Sequence, residues 1–355
     1  MSGALASWQW SDHEGPARLR RELEGTGYTL LRLDEERARA AARSAPFLLA
    51  ERLLGGAKLE RVEQQPIRAV PGARSFAASQ GPAPLHSDSQ LHFGVPPHLQ
   101  IMVCVRPADS GGESLLLDVW PLLHALERDD PERLRRLLTV PRRIPFVFGD
   151  VVGPTLSWRG GSLVFTHSPM APRAAGSGSG AAPDPESAPA QALIESVPPQ
   201  SVPVRAGEIL VLNNHRVLHG RRGFADARRE FTRLLVWLRA PLPSPPRLAE
   251  QAAAEALRSA ERLRDQPLAL RHLGLAPPPP PHAQARLDLV LALLRGVPPG
   301  LLAARSGLPE PALYRLCEAA LAAAGEALGG ALGEVPAAAD GAELDRLLAQ
   351  LRRDR

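Results

Sequence analysis

Cysteine is scarce: Cys104 and Cys317 stand far apart with no C-x-x-C spacing in 355 residues. That excludes a disulfide framework and makes a reducing cytoplasm the expected location. Lysine is scarcer still, with Lys58 alone and arginine supplying the rest of the positive charge. The formal net charge is +4 and the pI near 9.7. In an arginine-, alanine- and proline-rich chain such a pI does not by itself indicate a nucleic-acid partner. Long apolar runs are missing as well. The longest near the C-terminus, residues 287–304, is cut by Asp288, Arg295, Pro298 and Pro299, so no membrane span is expected. Residues 1–10 lack a basic start followed by an apolar run, so no secretory leader is expected. What is present is 44% hydrophobic residues, enough for one large domain and a smaller one, and 37 prolines, which imply many loops and stiff connectors.

The pattern predicts a strand over 27–33 after a helical opening, with Asp34 capping a helix over 35–43. Residues 98–106 alternate, setting Leu99, Ile101, Val103 and Val105 against Gln100, Met102, Cys104 and Arg106. Asp118 is placed as the N-cap of a helix over 119–127, and a second helix over 131–138 opens on Pro131. Short strands follow over 155–159, 161–167, 208–213 and 231–239. Short strands punctuated by Gly and Pro suggest an all-β sandwich or barrel rather than alternating βαβ units. Residues 174–190, with Gly-Ser-Gly-Ser-Gly and several prolines, read as a flexible insertion. After Pro241 the chain turns helical over 248–264. A proline run at 277–281 forms a stiff spacer, and three helices are expected over 286–295, 299–305 and 309–328. The expected organisation is therefore a β-rich domain over 1–245, a helix and linker over 246–282, and a small helical module over 283–355.

Two distant segments carry the chemistry. One is Leu85-His86-Ser87-Asp88. The other is Asn213-Asn214-His215-Arg216-Val217-Leu218-His219-Gly220-Arg221. In an extended segment residues i and i+2 share a face, so His86 and Asp88 can chelate one ion, with His219 arriving from a later strand or turn. Two imidazoles and one carboxylate are the donor set that suits non-haem Fe(II) with open positions. No other histidine has an acid two residues on. Alone, His-x-Asp also fits a surface-loop histidine; the second segment shifts that balance.

Residues 207–224 resemble the distal-histidine motif of the taurine dioxygenase-like, TfdA-like and γ-butyrobetaine hydroxylase-like Fe(II)/2-oxoglutarate oxygenases, D-N-R-R-V-L-H-G-R ahead of a Phe. Asn213 replaces the Asp and His215 the first Arg, while His219 keeps the ligand position. Leu85 to Asp88, Pro96-Pro97-His98-Leu99-Gln100 and Gly111-Gly112-Glu113-Ser114 resemble the same family's proximal half, and Arg229-Glu230-Phe231-Thr232-Arg233 its paired-arginine strand. The resemblance implies an α+β chain with a cupin-related jelly-roll core, the double-stranded β-helix, flanked by helices. It implies Fe(II) on His86, Asp88 and His219, with 2-oxoglutarate chelating the metal. Arg233 is expected to take the far carboxylate in a bidentate contact, helped by the Ser114 hydroxyl. With O2 as co-reactant and succinate and CO2 as products, hydroxylation of an unactivated C–H is the default outcome, and an intact Asp88 argues against halogenation. The expected substrate is a small acid, amine or amino-acid-derived molecule, free or tethered to a carrier protein.

Arg229 reads as a structural or surface residue rather than a second cosubstrate ligand. His92 and His215 could orient ligands or substrate but read rather as packing or surface residues, and Arg221 and Arg222 could attract an anionic substrate, a reading weakened by how common arginine is in this chain. Trp8, Trp10, Trp120, Trp158 and Trp237 read as core or lid residues rather than an aromatic cage. Residues 294–315 resemble the helix-turn-helix of transposase-like proteins. Residues 283–355, however, carry eight arginines against nine acids, a net −1 that lacks the basic footprint phosphate binding requires. A docking or dimerisation module is therefore favoured over DNA binding, and a homo-oligomer stays open. The rival readings are a DNA-binding regulator acting through this module and a non-catalytic jelly-roll binding protein.

Overall fold

The computed structural model describes residues 5–33, 46–55, 58–70, 76–88, 95–146, 149–168, 188–262, 286–287, 289–291, 306 and 308–331. The chain divides into two compact units, Met1–Ala276 and Pro277–Arg355.

The first unit is built on two sheets. The larger has six strands: β1 (Trp8–Gln9), β2 (Tyr28–Arg32), β12 (Glu208–Asn213), β5 (Leu99–Arg106), β14 (Glu230–Leu238) and β3 (Leu59–Arg68), in that spatial order. All neighbours are antiparallel except β1 with β2. The smaller sheet orders β11 (Gln200–Val202), β6 (Ser114–Asp118), β13 (Val217–Arg221) and β4 (Ala83–His86). Sequentially distant strands sit side by side in both, as the expected jelly roll requires.

Alternation decides what each face meets. On β5, Leu99, Ile101 and Val103 pack outward on α1 (Gly15–Gly25) and α2 (Pro46–Leu54) through Leu19, Leu23, Leu49 and Leu53. Cys104 and Met102 point inward, where Leu30, Leu210, Leu212 and Phe231 of the large sheet meet Leu116, Val202 and Val217 of the small one. The outer face of the small sheet, through Leu117 and Leu218, is covered by α3 (Trp120–Asp129), α4 (Pro131–Thr139), α5 (Ala188–Glu195) and α6 (Pro246–Arg262). The hairpins β7 (Arg142–Phe146) with β8 (Gly149–Gly153), and β9 (Leu156–Arg159) with β10 (Ser162–Phe165), complete the unit.

Two expectations shift. The helix expected over 119–127 is α3, capped at Val119 without a side-chain bond. Asp118 accepts from Trp120 N at 3.1 Å, but its carboxylate mainly binds Arg216, at 2.8 and 2.6 Å. A buried guanidinium outcompetes a single amide for that carboxylate. The true N-cap is one helix later, where Asp130 accepts from Arg133 N at 3.0 Å and opens α4. The stretch read as a flexible insertion over 174–190 ends in helix, because α5 starts at Ala188; residues 169–187 lie outside the described residues. So do Asp34, the helix expected over 35–43 and the one expected over 299–305. In the second unit the helix expected over 309–328 is α7 (Glu310–Ala331), 22 residues long. Among the described residues, no helix is long and apolar enough to cross a membrane.

Candidate metal centre and cosubstrate pocket

His219 lies on β13, with His86 of β4 directly opposite on one side and Leu116 of β6 on the other. The two imidazole centroids are 4.4 Å apart. Asp88 lies just past the end of β4, where its carboxylate faces both rings: Oδ1 is 3.7 Å from His86 Nε2, and Oδ2 is 3.7 Å from His219 Nε2. One donor atom from each residue falls within 4.8 Å of the others. The structure therefore brings the three expected ligands together.

Asp88 is positioned through its backbone. Asp88 N donates to Asn214 Oδ1 at 2.8 Å, and Asn214 Nδ2 returns to the carbonyls of Asp88 (3.2 Å) and Pro97 (3.0 Å). The Asn-Asn-His-Arg stretch is thus largely scaffold. Asn213 holds His215 N at 3.0 Å, and Arg216 donates to the carbonyls of Glu24 and Gly25 at 2.8 and 2.6 Å, tying down the end of α1. His215 is buried, stacks on His98 with centroids 4.8 Å apart and bonds Pro96 O at 2.9 Å, so it packs. Gly220 follows the ligand because β4 passes closely there: a Cβ would meet Ala83 O at 2.6 Å.

The protonation pattern suits a cation. His86 Nδ1 sits 2.8 Å from Pro84 O, which accepts only from N–H, so the proton is on Nδ1 and Nε2 faces Asp88 with its lone pair. Burial pushes His219 down to about 3, with His86 adding to the shift and Asp88 opposing it, so its ring is neutral at physiological pH. Burial alone would raise the Asp88 carboxyl. Arg233, His219 and His86 facing it outweigh that and hold it below the ordinary range. Asp88 Oδ2 accepts from Gln100 Nε2 at 2.6 Å and Arg233 Nη1 at 2.8 Å, while among the described residues no donor reaches Oδ1. Two imidazoles that can each present Nε2 and a carboxylate with one oxygen that no donor reaches among the described residues fit a divalent cation that takes mixed N and O donors.

Beside this set opens a pocket whose lining includes His86, His219, Gln100, Ser114, Arg221, Arg229 and Arg233, with Met102, Leu116, Leu210 and Leu212 as its apolar wall. The β13–β6 register pairs His219 with Leu116 and Arg221 with Ser114. Ser114 is therefore two residues along the strand from the metal row, roughly 6–7 Å away.

The three arginines differ. Arg233 is engaged by Asp88 and by Gln65 Oε1. Arg221 donates to the carbonyls of Ser79 (2.7 Å) and Gly81 (2.6 Å) and lies over Phe224. Arg229 is 4% exposed, lies 4.1 Å over the Phe231 ring, and its guanidinium has neither hydrogen bond nor ion pair among the described residues. Burial, with Arg221 nearby, pushes it down to about 10, still charged at neutral pH. Gly112 makes room for it: at φ +75°, a Cβ there would meet Arg229 Nε at 3.2 Å. The Gly111-Gly112 pair beside this arginine was a usable signal in the sequence; that Arg229 lacks a partner was not. Gln100 was likewise missed as a site residue, although glutamine on an apolar central strand is itself unusual.

Arg222 is exposed, while Trp8, Trp10 and Trp237 are buried; Trp8, Trp120 and Trp237 each carry one arginine of the chain over the ring. His92 lies outside the described residues.

The profile of the taurine catabolism dioxygenase TauD, TfdA family matches residues 3–235. No curated protein matches the chain. Solved structures that resemble it include an asparagine oxygenase in complex with Fe(II), 2S,3S-3-hydroxyasparagine and succinate. It is 17% identical, with a TM-score of 0.46, over 64% of this chain and 81% of that one. The non-heme iron oxygenase OrfP, in complex with Fe and alpha-ketoglutaric acid, is 16% identical with a TM-score of 0.44, over 73% and 85%. PvcB, an Fe, alpha-ketoglutarate dependent oxygenase from an isonitrile synthetic pathway, is 16% identical with a TM-score of 0.42, over 63% and 80%.

Proposed function

Since the chain belongs to the TauD, TfdA family of Fe(II)- and 2-oxoglutarate-dependent dioxygenases, we propose that it hydroxylates an unactivated C–H of a small acid, amine or amino-acid-derived substrate, releasing succinate and CO2. The observation that carries this reading is the convergence of His86, Asp88 and His219 beside a pocket that also holds Ser114 and Arg229, whose guanidinium has no hydrogen bond or ion pair among the described residues. Iron held by those three residues would supply the activation of O2 coupled to decarboxylation of 2-oxoglutarate.

The chain's own residues position and shield. Pro84 O fixes the His86 ring, and Asn214 fixes the Asp88 backbone. For the far carboxylate of 2-oxoglutarate, the sequence points to Arg233. The pairing of Arg233 with Asp88 and Gln65, against an Arg229 guanidinium with no hydrogen bond or ion pair among the described residues, favours Arg229 beside Ser114. A planar guanidinium and a hydroxyl can grip a carboxylate through several donors. Met102, Leu116, Leu210 and Leu212 keep water from the carbon chain between the two ends.

Anaerobic titration of the Fe(II) protein with 2-oxoglutarate, followed by visible metal-to-ligand charge-transfer absorption, tests the reading. The parent is expected to develop the band and His219→Ala to lack it. A folded parent without the band would sink the proposal.

A further inference from the structure

Gln100 is a buried glutamine near the start of the central strand β5, 2% exposed, on the face that also carries Met102 and Cys104. Burying a carboxamide is unfavourable unless its hydrogen bonds are made, so its partners indicate its task. Its Nε2 lies against two metal-ligand candidates, Asp88 Oδ2 at 2.6 Å and His219 Nε2 at 3.3 Å, while Oε1 is buried with no partner among the described residues. The amide orientation follows from chemistry, because an ionised carboxylate accepts only.

Gln100 and Arg233 together occupy Asp88 Oδ2, which leaves Oδ1 as the oxygen with a free lone pair. At His219, a donor aimed at Nε2 keeps the proton on Nδ1, the tautomer in which Nε2 can ligate. A metal-binding histidine ordinarily has its tautomer set from the other nitrogen, by a carbonyl or carboxylate. His86 has that partner in Pro84 O, whereas His219 Nδ1 is buried with none among the described residues. For His219 the task falls to the ligating side.

We propose that Gln100 is a positioning residue for the metal centre: its carboxamide holds Asp88 in one-oxygen ligation and His219 in the ligating tautomer. The inference rests on the metal-site reading given above. When a cation binds, the Asp88 contact stays and the His219 contact is replaced by the metal.

The test is a Co(II) titration of the full chain, read by visible d–d absorption, with thermal unfolding of the metal-free protein alongside. Gln100→Met keeps the side-chain length and removes both donors. Its Co(II) dissociation constant is expected to rise by about 10- to 100-fold, the effect typical of losing an outer-sphere ligand partner, with the unfolding midpoint close to the parent's. Cys104→Ala, on the same face but outside the pocket lining, is expected to stay within about twofold, since packing alone does not set ligand orientation. A Gln100→Met constant within twofold of the parent's overturns the proposal. If that variant fails to fold, Gln100→Leu carries the same test. Should the parent bind Co(II) no better than His219→Ala does, the metal-site reading itself fails and this inference falls with it.

Discussion

Replacing Arg229 with methionine should stabilise the empty protein while crippling its hold on 2-oxoglutarate. The first half follows from electrostatics. The guanidinium is 4% exposed without an anionic partner among the described residues, and its pKa is pushed from 12.5 down to about 10. At 1.36 kcal/mol per unit this is a desolvation cost of about 3 kcal/mol, borne by the fold at any pH below 10. Methionine keeps the stem on the Phe231 ring and gives up a cation–π contact of roughly 1 kcal/mol. The net gain is about 1–2 kcal/mol, a few degrees in the unfolding midpoint of metal-free protein. The second half follows from the ligand's side. A carboxylate left buried without its cation costs about 3 kcal/mol, which is roughly 100-fold in dissociation constant. The assay is the anaerobic charge-transfer titration, paired with thermal unfolding without metal or cosubstrate. Arg233→Met in the same assay should weaken metal loading first, because it strips a donor from Asp88. An Arg229→Met constant within about threefold of the parent's, or a midpoint several degrees lower, would refute the reasoning.

Acid should destabilise the fold before any carboxylate network titrates. Burial pushes His98 down to about 4, and His167 and His215 to about 3, so they stay neutral in the folded chain while the unfolded chain protonates near 6.5. The full contribution is present above pH 6.5 and is lost between there and about pH 3, at up to about 4 kcal/mol per pH unit while all three differ from the unfolded chain, above about pH 4. Equal urea midpoints at pH 7.5 and 5.5 would contradict this. Arg216→Met leaves Asp118 and the carbonyls ending α1 without their donor, and should cost about 3–5 kcal/mol in chemical denaturation. Gly112→Ala strains a φ of +75° and crowds Arg229, so the apparent KM for 2-oxoglutarate should rise with kcat less affected. An unchanged KM would separate Gly112 from the cosubstrate pocket.

The sequence by itself determined the candidate ligand set, His86, Asp88 and His219, and several strands of the large sheet, while the strands that bear the two histidines came from the fold. His-x-Asp and the distal-histidine segment are local patterns, and alternation along 98–106 or a short apolar run such as 208–213 is enough to place a strand, because side-chain period and hydrophobicity are written residue by residue. The jelly roll followed from the same motifs. Tertiary structure alone decided how the charges pair. Asp118 looked like a helix cap because an acid before a helix usually is one, but it lies beside Arg216, 98 residues away in sequence. Arg229 and Arg233 are indistinguishable as letters four apart on one stretch; only the fold sets Arg233 against Asp88 and leaves Arg229 facing the pocket. Gln100 read as the polar side of an alternating strand, and only the packing of two sheets turned that side inward, onto the metal ligands. Periodicity is a property of the chain, while the partner of a buried charge depends on which distant strand the fold lays beside it.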